Sequence, residues 1–208
     1  MRPSRRQLQP FVRRWQTGRT TATALAVALS AGAFGAQFIV ENLFNGQQPH
    51  EAILRTWLAL DENAIASGQW WKFFSFGLLH AGPVQLLANL LLLFLAGREL
   101  EPLIGARHFT AIYALGNILG GSAQWLLGAA PQWAFLRAQP LLGVSAGVAA
   151  VIVAYTTVLP ELEVTANLFF VIPVRLRAKY LAWALLAVSA LCCYTATALE
   201  IVPAGGPG

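Results

Sequence analysis

Leu141-Leu142-Gly143-Val144-Ser145-Ala146-Gly147 opens an uncharged run that reaches Pro160, and its reading decides what kind of molecule this is. A hydroxyl sits between small residues at the head of an apolar segment. If a helix begins near Gly143, its first N–H groups lack intrahelical acceptors and point toward any negative charge that develops beside Ser145. A serine needs that help, because it is a poor nucleophile until a base takes its proton and donors stabilise the oxyanion. The same letters admit a second reading. Gly143-x-x-x-Gly147 has the spacing at which membrane helices pack backbone to backbone, and serine is common in such helices. Taken alone, the stretch leaves nucleophile and packing motif both open.

Outward from that run the chain stays apolar. Of 208 residues, 57% are hydrophobic and 11% charged, with a mean hydropathy of +0.58, far from the composition of a soluble domain. Uncharged windows run over Thr20–Val40 (21 residues), Phe73–Gly97 (25), Phe109–Leu136 (28), Ala138–Pro160 (23) and Tyr180–Leu199 (20). Each can hold a helix of about 20 residues, so the expectation is an all-α polytopic membrane protein with five transmembrane helices. The net charge of +5 does not imply a nucleic-acid partner, because the basic residues lie before or between the windows, where they set topology. Cys192 and Cys193 are adjacent within an apolar window and form no metal-ligand or disulfide pattern.

Charge fixes the expected orientation. Residues 1–19 carry six arginines and no acid, Gly97–His108 holds two basic residues and Glu161–Lys179 three, which puts 11 of 14 on one side. The remaining three are Arg55, Lys72 and Arg137. By the positive-inside rule the N-terminus is cytoplasmic and Ser145 heads its helix from the outer side. A twin-arginine export start at Ser4-Arg5-Arg6 is the rival reading of the N-terminus, and four further apolar windows favour a retained anchor. Glu41–Lys72 is long for a connection; with Trp57 and Trp70-Trp71 it reads as an interfacial loop holding a short helix within Ile53–Leu60. Val164–Val174, 11 uncharged residues, cannot span and reads as a second interfacial piece.

The second span is expected to begin after the Gly82-Pro83 break, since Pro suits the first helical turn. Gln85 and Asn89 are then one turn apart on one face near the outer end. Amides inside a membrane helix are costly without partners, so they serve either as functional donors or as interhelical glue. His80 lies just before the break, as a cavity-lining or structural side chain. Gly97-Arg98-Glu99-Leu100-Glu101 reads as a solvated cytoplasmic turn, and Gly116, Gly120 and Gly121 as a close-packing surface on the third span.

Four pieces stand in order: Gly68-Gln69-Trp70-Trp71-Lys72, His80 with Asn89 nine residues on, Gly97-Arg98-Glu99-Leu100-Glu101, and Gly143-Val144-Ser145-Ala146. Together they resemble the rhomboid family of intramembrane serine proteases, over roughly Ile53–Leu199. The resemblance implies a rhomboid-like helical bundle with five of an expected six transmembrane helices present. It implies Ser145 as nucleophile in a cavity open to the outer side, lined by His80 and Gly143, and Asn89 as an oxyanion donor beside the Ser145 N–H. Gln85 stands where many members carry a second oxyanion His, and its amide can donate in its place. Trp71-Lys72 replaces the family's Trp-Arg pair, losing a planar fork of donors. Ala149 stands where some members put a Tyr beneath the catalytic imidazole. The family's general base is a His on the sixth helix, whereas the three His here are at 50, 80 and 108, none after Ser145.

The expected organisation is a basic cytoplasmic tail at 1–19, an incomplete rhomboid-like transmembrane domain at 20–199, and at 200–208 a tail or the start of an outer loop before a missing helix. The chain reads as a fragment of a multi-pass protein, of the plasma membrane if bacterial. The expected function is an endopeptidase acting without a cofactor on transmembrane protein substrates in the lipid bilayer. The alternative is a proteolytically inactive relative that binds transmembrane helices; a small transporter is a third reading, weakened by the lack of intramembrane charge runs.

Overall fold

Gly82 and Pro83 divide the second apolar window as its sequence suggests. In the computed structural model, which describes residues 20–43, 54, 56–61, 64, 67–130, 133, 140–168, 172–178 and 180–187, a four-residue helix α2 (Lys72–Ser75) passes into a 3-10 turn (Phe76–Leu78). The chain then bends by 97° into the 22-residue α3 (Pro83–Ile104). Before them lies α1 (Thr21–Leu43), and after them α4 (Ala106–Leu127) and the 14-residue α5 (Ser145–Val158). The chain divides into two compact units, residues 1–155 and 156–208.

In the first unit α1 packs on both α3 and α4. The contact with α3 is anchored by a charge. Glu101, 1% exposed, accepts hydrogen bonds from the backbone N–H groups of Ala22 (2.9 Å) and Thr23 (2.8 Å) and from the Thr23 hydroxyl (2.7 Å). Those are orphan donors of the first turn of α1, and a carboxylate there also complements the positive end of the helix. Gly97, one turn earlier on α3, lies so close to α1 that a Cβ would meet Thr23 Oγ1 at 2.6 Å. The Gly97–Glu101 stretch is thus not the solvated turn its charges suggest. It belongs to α3, and burial of Glu101 is sustained by donors that lie almost 80 residues earlier in the chain.

Small residues set the approach of α4 to α5. A Cβ on Gly116 would meet Ala150 Cβ at 2.3 Å, one on Gly120 would meet Ala146 Cβ at 2.4 Å, and one on Gly147 would meet the Tyr113 carbonyl at 2.7 Å. The two backbones interlock, as the glycine spacing on the third span predicts. Large apolar side chains point outward instead: Leu25, Leu29, Leu87, Leu91, Leu115 and Leu119 are all more than half exposed. Thr23, Gln37, Lys72, His80, Asn89, Glu101 and Asn117 are buried. Polar groups inside an apolar exterior is the arrangement that a hydrocarbon solvent selects.

Among the described residues, one helix is long and apolar enough to cross a membrane by itself, over Thr21–Val40, and there are up to two if the bent pair counts as one span. The helical class expected from the sequence is what these elements have; one or two spans, rather than five, pass the length test. The N-terminal tail, residues 44–53 including His50, and the C-terminal tail lie outside the described residues.

In the second unit the stretch expected as an interfacial piece is a β-hairpin, β1 (Glu163–Leu168) paired antiparallel with β2 (Ile172–Arg177). It amends the all-α expectation. Apolar residues at 164, 166 and 168 and at 172, 174 and 176 recur with a period of two that suits a strand, and Val164, Thr165, Ile172 and Val174 are β-branched. Glu161 and Arg177 pair at 3.3 Å, the Ala178 N–H donates to the Leu162 carbonyl at 2.8 Å, and residues 180–187 are helical.

Candidate active site

Ser145 is the first residue of α5 and is exposed, and no described residue hydrogen-bonds its hydroxyl. The helix starts two residues later than the sequence suggests, because Gly143 takes φ +101°, a left-handed backbone that a side chain would strain. A Cβ at Gly143 would also meet Gln85 Nε2 at 2.9 Å. Of the Gly143-x-x-x-Gly147 pair only Gly147 is therefore a helix-packing glycine; Gly143 shapes the approach to Ser145. The Val148 N–H donates to the Val144 carbonyl at 2.9 Å. The preceding N–H groups of Ser145, Ala146 and Gly147 belong to the first turn, where no intrahelical acceptor exists.

Three backbone-to-backbone hydrogen bonds carry the segment before Ser145. Leu60 and Leu141 form an antiparallel bridge, with Leu60 N–H to Leu141 carbonyl at 3.3 Å and Leu141 N–H to Leu60 carbonyl at 2.8 Å. The Gly143 N–H donates to the Phe76 carbonyl at 3.0 Å. Beneath them Leu60, Ala64 and Phe76 form a buried cluster against which Phe73, Trp125 and Leu141 pack. The loop before α2 is fixed from its other side as well. Trp71 stacks on Trp57 at 6.3 Å and its indole N–H donates to the Trp57 carbonyl at 2.8 Å, while the Ser75 hydroxyl donates to the Leu58 carbonyl at 2.9 Å. Buried Lys72 pairs with Asp61 through one carboxylate oxygen, and the second oxygen has no partner. A lysine supplies a point charge where a guanidinium would supply a fork.

Gln85 and Asn89 lie one turn apart on α3, as their spacing requires, but their amides are differently engaged. Gln85 Oε1 accepts from the Ala81 N–H at 2.8 Å, which orients the group so that Nε2 donates to the Leu142 carbonyl at 3.2 Å. It braces the arm that leads to Ser145 and keeps one N–H in hand. Asn89 is 7% exposed and its Nδ2 has no hydrogen-bond partner. A buried amide donor without an acceptor is costly to fold and is available to an incoming negative charge.

His80 is fully buried. Its backbone is clamped by Gln37, whose Nε2 donates to the His80 carbonyl at 2.9 Å and whose Oε1 accepts from the His80 N–H at 3.0 Å. Its ring stands edge-on to Phe34 at 6.3 Å, and neither ring nitrogen has a partner. No hydrogen bond joins it to Ser145. His108, at the start of α4, is exposed and bonds the Ile104 carbonyl. Neither Gln37 nor Asp61 stood out in the sequence, although a lone amide in an apolar window was a signal that it needed a partner. A cavity of about 310 Å³ between α1 and α4 reaches Val144 but not Ser145, Gln85 or Asn89.

Residues 67–198 match the Rhomboid domain family. The chain is 31% identical over 117 residues to the rhomboid protease GluP of Bacillus subtilis (strain 168), an alignment that covers 56% of this chain and 22% of that protein. It is 39% identical over 56 residues to YdcA of the same organism, a candidate rhomboid protease, covering 27% of this chain and 28% of that one. The matched stretches thus span well under half the length of either curated relative. No solved structure matches.

Proposed function

Because the chain belongs to the rhomboid family, we propose that it is an intramembrane serine endopeptidase cleaving transmembrane protein substrates in the lipid bilayer, arranged as a multi-pass protein with a cytoplasmic N-terminus. The observations that carry this reading are an exposed Ser145 at the head of α5 and, on α3, a buried Asn89 whose Nδ2 has no hydrogen-bond partner. In the proposed reaction Ser145 Oγ attacks a substrate carbonyl while a base takes its proton, and the negative charge that forms on the carbonyl oxygen is met by the Ser145 N–H and Asn89 Nδ2. The remaining N–H of Gln85 is a third donor, secondary because its amide already holds Ala81 and Leu142. A preorganised donor of this kind is worth roughly 2.7–4 kcal/mol in the transition state. His80 and Gly143 line the approach. No cofactor enters the chemistry.

No described residue hydrogen-bonds the Ser145 hydroxyl as its base, and the 208 residues hold no His after Ser145. A hydroxyl without a base is barely nucleophilic at pH 7. The test compares fluorophosphonate labelling in detergent of the 208 residues with labelling of a form that also carries an apolar helix bearing a His, each beside its Ser145→Ala control. Ser145-dependent labelling is expected in the second form alone. Strong labelling of the first that disappears with His80→Ala would make His80 the base and overturn the assignment.

A further inference from the structure

The hairpin is amphipathic in a way that only its register reveals. Residues directly opposite each other in an antiparallel pair lie on one face, and faces alternate along each strand. The observed pairs Val164↔Leu176, Ala166↔Val174 and Leu168↔Ile172 join apolar residue to apolar residue. The intervening pairs are Glu163↔Arg177, Thr165↔Arg175 and Asn167↔Pro173. One face therefore holds six apolar residues, and the other holds both arginines and every polar residue of the two strands. A slip of one residue would scramble both faces.

We propose that this hairpin lies on the membrane surface with its apolar face in the boundary between headgroups and acyl chains, as a β counterpart of an interfacial amphipathic helix. The proposal rests on the reading that the segments before and after it span the bilayer. Two six-residue strands are at best marginally stable in water, so the apolar face requires a cover. The connection limits what that cover is. Only four residues separate Val158, the end of α5, from Glu163, and helical residues 180–187 resume three residues after Arg177. Five residue steps reach at most about 18 Å, which keeps the start of the hairpin close to the bilayer that its neighbours are read to cross. Charge agrees. Arg175 and Arg177 lie on the polar face and Lys179 follows in the sequence, on the side expected to be cytoplasmic, where anionic lipids attract basic groups. The three residues that join the strands, Phe169, Phe170 and Val171, add no charge to the segment.

The experiment uses the full chain in vesicles of phosphatidylethanolamine and phosphatidylglycerol, with Cys192→Ala and Cys193→Ala as background. Single cysteines at Ala166 and Val174, at Thr165 and Arg175, and at Leu186 as a reference in the following helix carry a nitroxide, and collision with oxygen is measured against collision with a water-soluble nickel chelate. The oxygen-to-nickel ratio is expected to be several-fold higher at 166 and 174 than at 165 and 175, and high at 186. Equal ratios on the two faces overturn the proposal. So does an apolar face shielded from both reagents, which would mean that protein, either this chain or a second copy, covers it. A nickel-accessible label at 186 would instead sink the span reading on which the proposal stands. The pair 164 and 177 repeats the comparison should a label at 166 or 174 disturb folding.

Discussion

Two amides one turn apart do different work, and their substitution separates catalysis from folding. In the form that carries its base, Asn89→Ala removes a donor with no ground-state partner. Turnover of a transmembrane substrate is expected to fall about 10²- to 10³-fold while the melting midpoint in detergent stays at the parent value. Gln85→Ala strips the Ala81 N–H and the Leu142 carbonyl of their partners, so it is expected to cost about 1–3 kcal/mol of stability before any effect on rate is read. Equal loss of folding in both variants would return Asn89 to the role of interhelical glue. The sequence placed both residues on one face but could not tell them apart, because spacing encodes direction and not the partner found there. Gln85 meets Leu142 only after the chain has folded across a sequence separation of 57.

At the scale of elements, legibility follows the range of the cause. The start of α3 at Pro83 and the glycine surface of α4 are written locally, in φ restriction and in side-chain size, and both were readable. The fate of Glu101 is not local. Charges in a row look solvated until the first turn of α1 brings four donors to one carboxylate. The hairpin is as local as the start of α3, yet its uncharged run also suits an interfacial piece too short to span, and only the period of two distinguishes strands from it. The α4–α5 interlock gives a reciprocal test. Gly116→Ala puts a methyl where Ala150 Cβ stands, which is expected to destabilise the chain by about 1–3 kcal/mol. Ala150→Gly in the same chain vacates that space, and is expected to restore much of the lost melting temperature. Additive losses would show that the two helices are not held by this contact.

For the whole molecule, the buried polar groups and outward leucines suit an apolar surround, and by the positive-inside rule the charge distribution is expected to orient the chain within it. With Cys192 and Cys193 replaced, a cysteine at Gly46 is expected to react with an impermeant maleimide on intact cells, and one at Gly18 to react only after lysis. The reverse pattern would put Ser145 on the cytoplasmic side and overturn the proposed topology. The arm that delivers Ser145 is fastened to the loop before α2 through the peptide groups of Leu60 and Leu141, and that has a genetic consequence. Every residue type except proline carries the same N–H and carbonyl, so the fastening is invisible to an alanine scan. A library of point variants would report these positions through their side-chain packing alone; proline at 141, or an ester in place of that amide, is what would expose the joint.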